Sequence, residues 1–167
     1  FRTLLEDDNQ LEKCFSIKDS KPCHGWWREY YNFPYNMYVS REGIYKNGKR
    51  DGEWTQTYEN TKQIWKKIHF SDGEYNGPYI EYYQDGTIKK FWGFTKGMFH
   101  GPQKEYDEFG TLRSQSFWKN DSRIGTRSYY PNGQLEESRN YKDDFIEERI
   151  YYHHSGKFLR KDTYKKG

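Results

Sequence analysis

One eight-residue phrase returns about every 24 residues along this chain. The segments YKNGKRDG (45–52), FSDGEYNG (70–77), FTKGMFHG (94–101) and WKNDSRIG (118–125) all run aromatic, two turn-formers, Gly or Asp, three variable residues, Gly. A weaker copy, YKDDFIEE, follows at 141–148. The leading aromatics Tyr45, Phe70, Phe94, Trp118, Tyr141 and Tyr164 are spaced by 25, 24, 24, 23 and 23 residues. A fixed period of this length marks a repeat architecture, in which each unit buries its apolar face only against its neighbours.

Midway between these junctions stands a second motif, written YYQDGTIK (82–89), YYPNGQLE (129–136) and YYHHSGKFL (151–159). Its glycines Gly86, Gly110, Gly133 and Gly156 keep the same period, with Thr61 in the equivalent place one unit earlier. Two runs of about ten residues per unit, joined by glycine-bearing turns, predict a β-meander. Pro131 decides the turn. In a two-residue Asn132-Gly133 loop it would flank the turn as a paired residue with no donor for the ladder. A type I turn with Pro131 in second place and Gly133 left-handed, forming a G1 bulge, suits every residue. That loop pairs Tyr129 with Leu135, Tyr82 with Ile88, Tyr106 with Leu112 and Tyr152 with Phe158. Strict alternation then puts the junction aromatics on the face of Ile88, Leu112, Leu135 and Phe158. The second doublet residues Tyr58, Tyr83, Tyr130 and His153 are expected on the opposite face, beside Lys89, Arg113 and Glu136.

Low hydrophobicity with high charge often signals disorder, but this chain is 20% aromatic, with 17 Tyr, 11 Phe and 6 Trp. Disordered chains are poor in these residues. The composition predicts a thin aromatic core under a large wetted surface. The expected fold is therefore all-β, an elongated single-layer antiparallel β-meander of about five to six hairpin repeats of 23–25 residues. Residues 25–167 form the array. Residues 1–24 depart from the repeat and read as an N-terminal capping segment, with Leu4, Leu11 and Phe15 near one face if helical. The loop 32–43 lengthens the first unit. Cys14 and Cys23 in the cap fit either a disulfide in an oxidising compartment or two reduced thiols.

These residues resemble the MORN repeat (membrane occupation and recognition nexus), whose units run close to G-x-Y-x-x-Y-Y-x-N-G-x-L. GPYIEYYQDGTI (77–88) and GPQKEYDEFGTL (101–112) carry the resemblance best, and it extends over roughly 25–167. The YYxxG tips and glycine-plus-acidic junctions are similar to a bacterial subgroup associated with toxin–antitoxin or immunity components. The resemblance implies a twisted sheet that acts as a binding or scaffolding surface. Thr61 in place of the tip glycine and Glu148 in place of the junction glycine depart from it.

No catalytic constellation is legible. The five histidines occupy different repeat positions, so no metal site or cofactor is expected. The acidic pairs Asp7-Asp8, Glu136-Glu137 and Asp143-Asp144 diverge and read as solvated surface. With 28 Lys+Arg against 25 Asp+Glu, the net charge of +3 is too balanced for a nucleic-acid binder. The reading is a protein-binding module, not an enzyme. Its specific form is a bacterial immunity or antitoxin protein that neutralises a toxin from a neighbouring gene. The alternative is a structural scaffold or membrane-surface adaptor, with the membrane surface the less favoured partner. The expected contact residues are Trp27, Trp54, Tyr58, Tyr83, Tyr130 and His153, with loop 32–43 beside them. A chain beginning at Phe1, with paired cysteines and balanced charge, points to the bacterial periplasm or cell envelope. The cytoplasm is the close alternative.

Overall fold

The computed structural model describes residues 24–30, 39–59 and 61–165. The capping segment 1–24, apart from His24, lies outside them, as do Cys14, Cys23 and most of loop 32–43. Among the described residues thirteen strands form one antiparallel sheet. They are β1 (Gly25–Tyr30), β2 (Val39–Lys46), β3 (Lys49–Thr57), β4 (Ile64–Ser71), β5 (Glu74–Tyr82) and β6 (Ile88–Thr95). The short β7 (Met98–Phe99) and β8 (Gly101–Tyr106) share one run, followed by β9 (Leu112–Lys119), β10 (Ser122–Tyr129), β11 (Leu135–Lys142), β12 (Phe145–Tyr152) and β13 (Phe158–Thr163). Neighbours in sequence are neighbours in the sheet, and β1 does not pair with β13, so the meander stays open.

The two kinds of turn have different chemistry. At the tips, Gly133 N–H donates to Tyr130 O at 2.9 Å and Tyr130 N–H donates to Gln134 O at 2.8 Å. Gly133 has φ 80°, which makes a type I turn closed by a left-handed glycine. Tyr129 faces Leu135, Tyr82 faces Ile88, Tyr106 faces Leu112 and Tyr152 faces Phe158. Register and turn type are those expected from Pro131. The first tip is one residue longer, since Tyr58 N–H reaches Gln63 O, and Thr61 is not left-handed there. The junctions are two-residue loops with both φ positive, such as Asn47 (52°) and Gly48 (77°). Asp121 and Asp144 take the glycine place at the later junctions, with φ 63° and 61°. Asp tolerates the left-handed region better than most residues.

One step in from every tip the register shifts again. Glu81 faces Lys90 while Tyr82 faces Ile88, which leaves Lys89 as an extra residue on the returning strand. Trp65, Arg113, Glu136 and Leu159 are extra in the same way in the other hairpins. A one-residue bulge exchanges the faces beyond it, because the side-chain period in a strand is two. This corrects the expectation from strict alternation. The junction aromatics share a face with the second doublet tyrosines, while Ile88, Leu112, Leu135, Phe158 and their partners lie on the other. The contacts agree: Tyr79, whose O–H donates to Glu81 on the Tyr83 face, stacks on Trp92 at 5.3 Å and lies 6.5 Å from the junction ring Phe94.

The core is thin, as the composition requires. It consists of Tyr45, Trp54, Ile68, Phe70 and Tyr79, with Trp27, Trp92 and Phe94 packed against it. Rings meet edge-on along the stripe, Tyr45 to Trp54 at 5.0 Å and Trp54 to Phe70 at 6.4 Å, the arrangement that ring quadrupoles favour. Trp54 keeps 2% exposure and lies over Gly43, where a Cβ would come within 2.3 Å of its ring.

A Cβ added at Gly133 meets no atom within 4 Å, so substitution there tests backbone strain alone. Gly133→Val should destabilise by about 1–2 kcal/mol in urea unfolding, because a β-branched residue resists the left-handed region. Gly133→Asn should cost distinctly less; equal losses would mean that the left-handed turn is not what the glycine supplies.

Candidate functional site

The core tapers along the array, and the taper makes a site. The central cross-strand row starts Trp54, Ile68, Tyr79, Trp92 and continues Gln103, Ser116, Thr126, Arg139, Arg149. From β8 onward polar residues stand where the first repeats have rings, and on β9 and β10 they are the small hydroxyl residues Ser116 and Thr126. A groove of about 420 Å³ opens on that face, floored by Ser114, Ser116, Thr126 and Ser128. Trp92, Phe99 and Trp118 wall one side, and Glu137, Arg139 and Tyr141 the other.

Two charged arrangements border the groove. Glu137, with its side chain only 13% exposed, accepts from both Arg139 and Arg149. Arg149 binds it in a two-pronged fork, Nε to Oε1 at 2.6 Å and a terminal nitrogen to Oε2 at 2.9 Å. Burial works to raise the Glu137 pKa, but the bonds from Arg149 and Arg139 outweigh it and hold the carboxyl below its ordinary value. The solvated-surface reading of Glu136-Glu137 is thus corrected for Glu137, because the bulge at Glu136 turns it towards the arginines. Above the groove, Arg123 lies 4.7 Å from the Trp118 ring and 5.7 Å from that of Tyr141. Burial acts to raise the Tyr141 pKa, yet hydrogen bonds with Thr126, Arg139 and Arg123 bring it below the ordinary value.

The residues expected from sequence all lie on this same face, but with different duties. Trp54 is core, and its Nε1–H donates to Ile44 O at 3.1 Å. Trp27 is half-buried and edge-on to Tyr45. The hydroxyls of Tyr58, Tyr83 and Tyr130 donate to the carbonyls of Tyr82, Tyr106 and Tyr152 at 2.6, 2.9 and 3.0 Å. Each tyrosine thereby ties its own hairpin tip to the next. In the third tip Asp107 replaces the tyrosine and accepts from the N–H groups of Phe109 and Thr111 instead. Tyr130 and Tyr83 are therefore separated by a repeat without a ring. His153 is exposed, and its Nδ1 accepts the Ser155 N–H at 3.2 Å. Tyr58, Tyr83, Tyr130 and His153 border the face rather than the groove. The residues that do line it, Trp118, Arg123, Glu137, Arg139 and Tyr141, were visible in sequence only as repeat positions. Reading the bulge into the register would have brought them together. Among the described residues no three of His, Cys, Asp and Glu converge.

Comparison with known families matches residues 99–120 and 126–143 to the family described as MORN repeat variant. The two matched segments cover the strands around the groove. The match supports a MORN-type repeat protein, a class that often serves as a protein- or membrane-binding module. No curated protein matches the chain.

Because the Glu137 pKa is depressed on folding, its contribution is complete above the unfolded carboxyl value of about 4.3. It is lost as the pH falls through the folded value. Glu137→Gln should therefore destabilise clearly at pH 7, and its deficit relative to the parent should shrink by pH 3 in urea unfolding. A deficit unchanged between the two would mean that the carboxylate charge is not what binds the arginines.

Proposed function

We propose that the chain is a protein-binding module that acts by occupying its partner, without catalysis. One observation carries this reading: an open sheet presents a groove bordered by Trp118, Tyr141 and Arg123, and no second layer covers it among the described residues. Trp, Tyr and Arg dominate the energetics of protein interfaces. A groove walled by rings already held by their neighbours also costs little entropy to engage. The rim tyrosines Tyr58, Tyr83 and Tyr130 with His153 would extend the contact along the tips.

In its specific form the proposal is a bacterial immunity protein that neutralises a toxin encoded by a neighbouring gene. Immunity proteins against nucleases are expected to be acidic, since they stand in for the phosphate surface that such a toxin binds. This chain has 25 acids against 28 bases, so a toxin acting on lipid or cell wall fits its charge better. That in turn favours the periplasm or cell envelope over the cytoplasm.

The test is co-purification with the product of the adjacent gene, followed by a toxicity rescue assay. Ser128→Trp places an indole in the groove without changing its charge. It should abolish rescue and weaken binding at least tenfold while the thermal midpoint stays near that of the parent. Unchanged affinity would remove the groove from the interface. If no neighbouring product binds, the scaffold or membrane-surface reading replaces this one.

A further inference from the structure

Two cations stand at the groove, Arg123 in its lining and Lys90 beside its Trp92 wall. At one end Lys90 lies 5.0 Å from the Trp92 ring, and at the other Arg123 covers Trp118 and Tyr141. Among the described residues neither takes part in an ion pair, in contrast to Lys89 on Glu81 and to Arg139 and Arg149 on Glu137. Glu105 and Glu81 face Lys90 from its two neighbouring strands, but Glu105 accepts from Ser114 Oγ at 3.5 Å and Glu81 is engaged by Lys89 and the Tyr79 hydroxyl. Between the two cations the floor is hydroxyl: Ser114, Ser116, Thr126 and Ser128.

We infer that this groove seats an extended, carboxylate-bearing segment of a partner protein, with one acid on Lys90, another on Arg123 and the intervening backbone over the serine and threonine hydroxyls. The inference rests on the protein-binding reading above and adds the chemistry of the partner. A single-layer sheet offers a long shallow trough, and an extended peptide matches it in shape. Arg123, 4.7 Å from the Trp118 ring and 5.7 Å from that of Tyr141, carries the planar donor fork that matches carboxylates.

A lipid surface fits less well. Interfacial binding combines cations with apolar side chains free to insert. Among the described residues none of the large exposed apolar side chains lines the groove; Trp26 (75%), Ile88 (38%) and Phe158 (61%) stand on the opposite face and Phe109 (85%) at a tip. Nucleic acid fits less well too, because Glu81, Glu105 and Glu137 interrupt the basic face and its rings are covered by the protein's own cations.

The experiment titrates the folded chain with a capped twelve-residue peptide of alternating Glu and Gly, followed by backbone amide shifts and calorimetry. Shifts should concentrate on β6, β9 and β10, and affinity should fall at least tenfold when salt rises from 50 to 300 mM. Lys90→Gln with Arg123→Gln should weaken binding at least tenfold. Lys104→Gln, which removes a cation on the other face, cross-strand from Phe91 and outside the groove lining, should leave it unchanged. The Gln/Gly peptide should not bind. Shifts spread over both faces, equal loss with Lys104→Gln, or tighter binding of anionic phospholipid vesicles or an oligonucleotide would overturn the inference. If the acidic peptide fails while the neighbouring product still binds the parent and not Ser128→Trp, the partner chemistry is wrong and the protein-binding reading stands. If both fail, both readings fall.

Discussion

Each hairpin of this sheet carries one more residue on its returning strand than the outgoing strand can pair, and the rest of the molecule follows from where that residue sits. Trp65, Lys89, Arg113, Glu136 and Leu159 occupy the place. Because a strand alternates faces every residue, one unpaired residue reverses everything beyond it. The doublet's first aromatic packs on the apolar residue after the glycine on one face. Its second aromatic joins the junction rings on the other. Without the bulge, Tyr83 and the rings of Trp92 and Phe94 would be on opposite sides of the sheet.

The array is held at both ends of each hairpin as well as along its ladders. At the junctions the second turn residue donates back to the preceding unit, Gly73 to Arg50 O, Gly97 to Tyr75 O and Asp121 to Phe99 O, at 2.8–3.0 Å. At the tips the tyrosine hydroxyls reach forward to the next unit. These bonds relieve the interior of part of the task of fixing repeat against repeat. Rings fill the first units and hydroxyl residues the later ones, so the sheet keeps its order while a groove replaces the core. Cations then gather over the remaining rings, and Glu137 anchors two of them.

Much of the fold was legible in the sequence because it is local. The period follows from glycines and aromatics at fixed spacing, and Pro131 selects the tip turn through its missing donor. The four cross-strand pairs follow from that turn. The faces were not legible, since no residue type marks the second bulge: Trp65, Lys89, Arg113, Glu136 and Leu159 have nothing in common chemically. The junction glycines show the same limit. Gly52, Gly77 and Gly101 are left-handed at bulges of two extra residues, whereas Gly125 and Glu148 stand at bulges of one. Gly125 is not left-handed, so Glu148 can occupy the equivalent place without strain. As for the site, the tyrosine row was found on the right motif, but its hydroxyls serve the sheet. The groove residues come from six strands, β6 to β11, and only the switched faces bring them together.

A protein that buries so little uses its exposed face as its working part, and the bulge decides which side chains that face presents. The direct measurement is a set of proton nuclear Overhauser contacts to the Tyr79 ring. The account predicts contacts with the rings of Trp92 and Phe94, and none with Phe91. Contacts of Tyr79 with Phe91 in place of Trp92 would contradict it, and with it the assignment of the groove, its arginines and the rim tyrosines to one face.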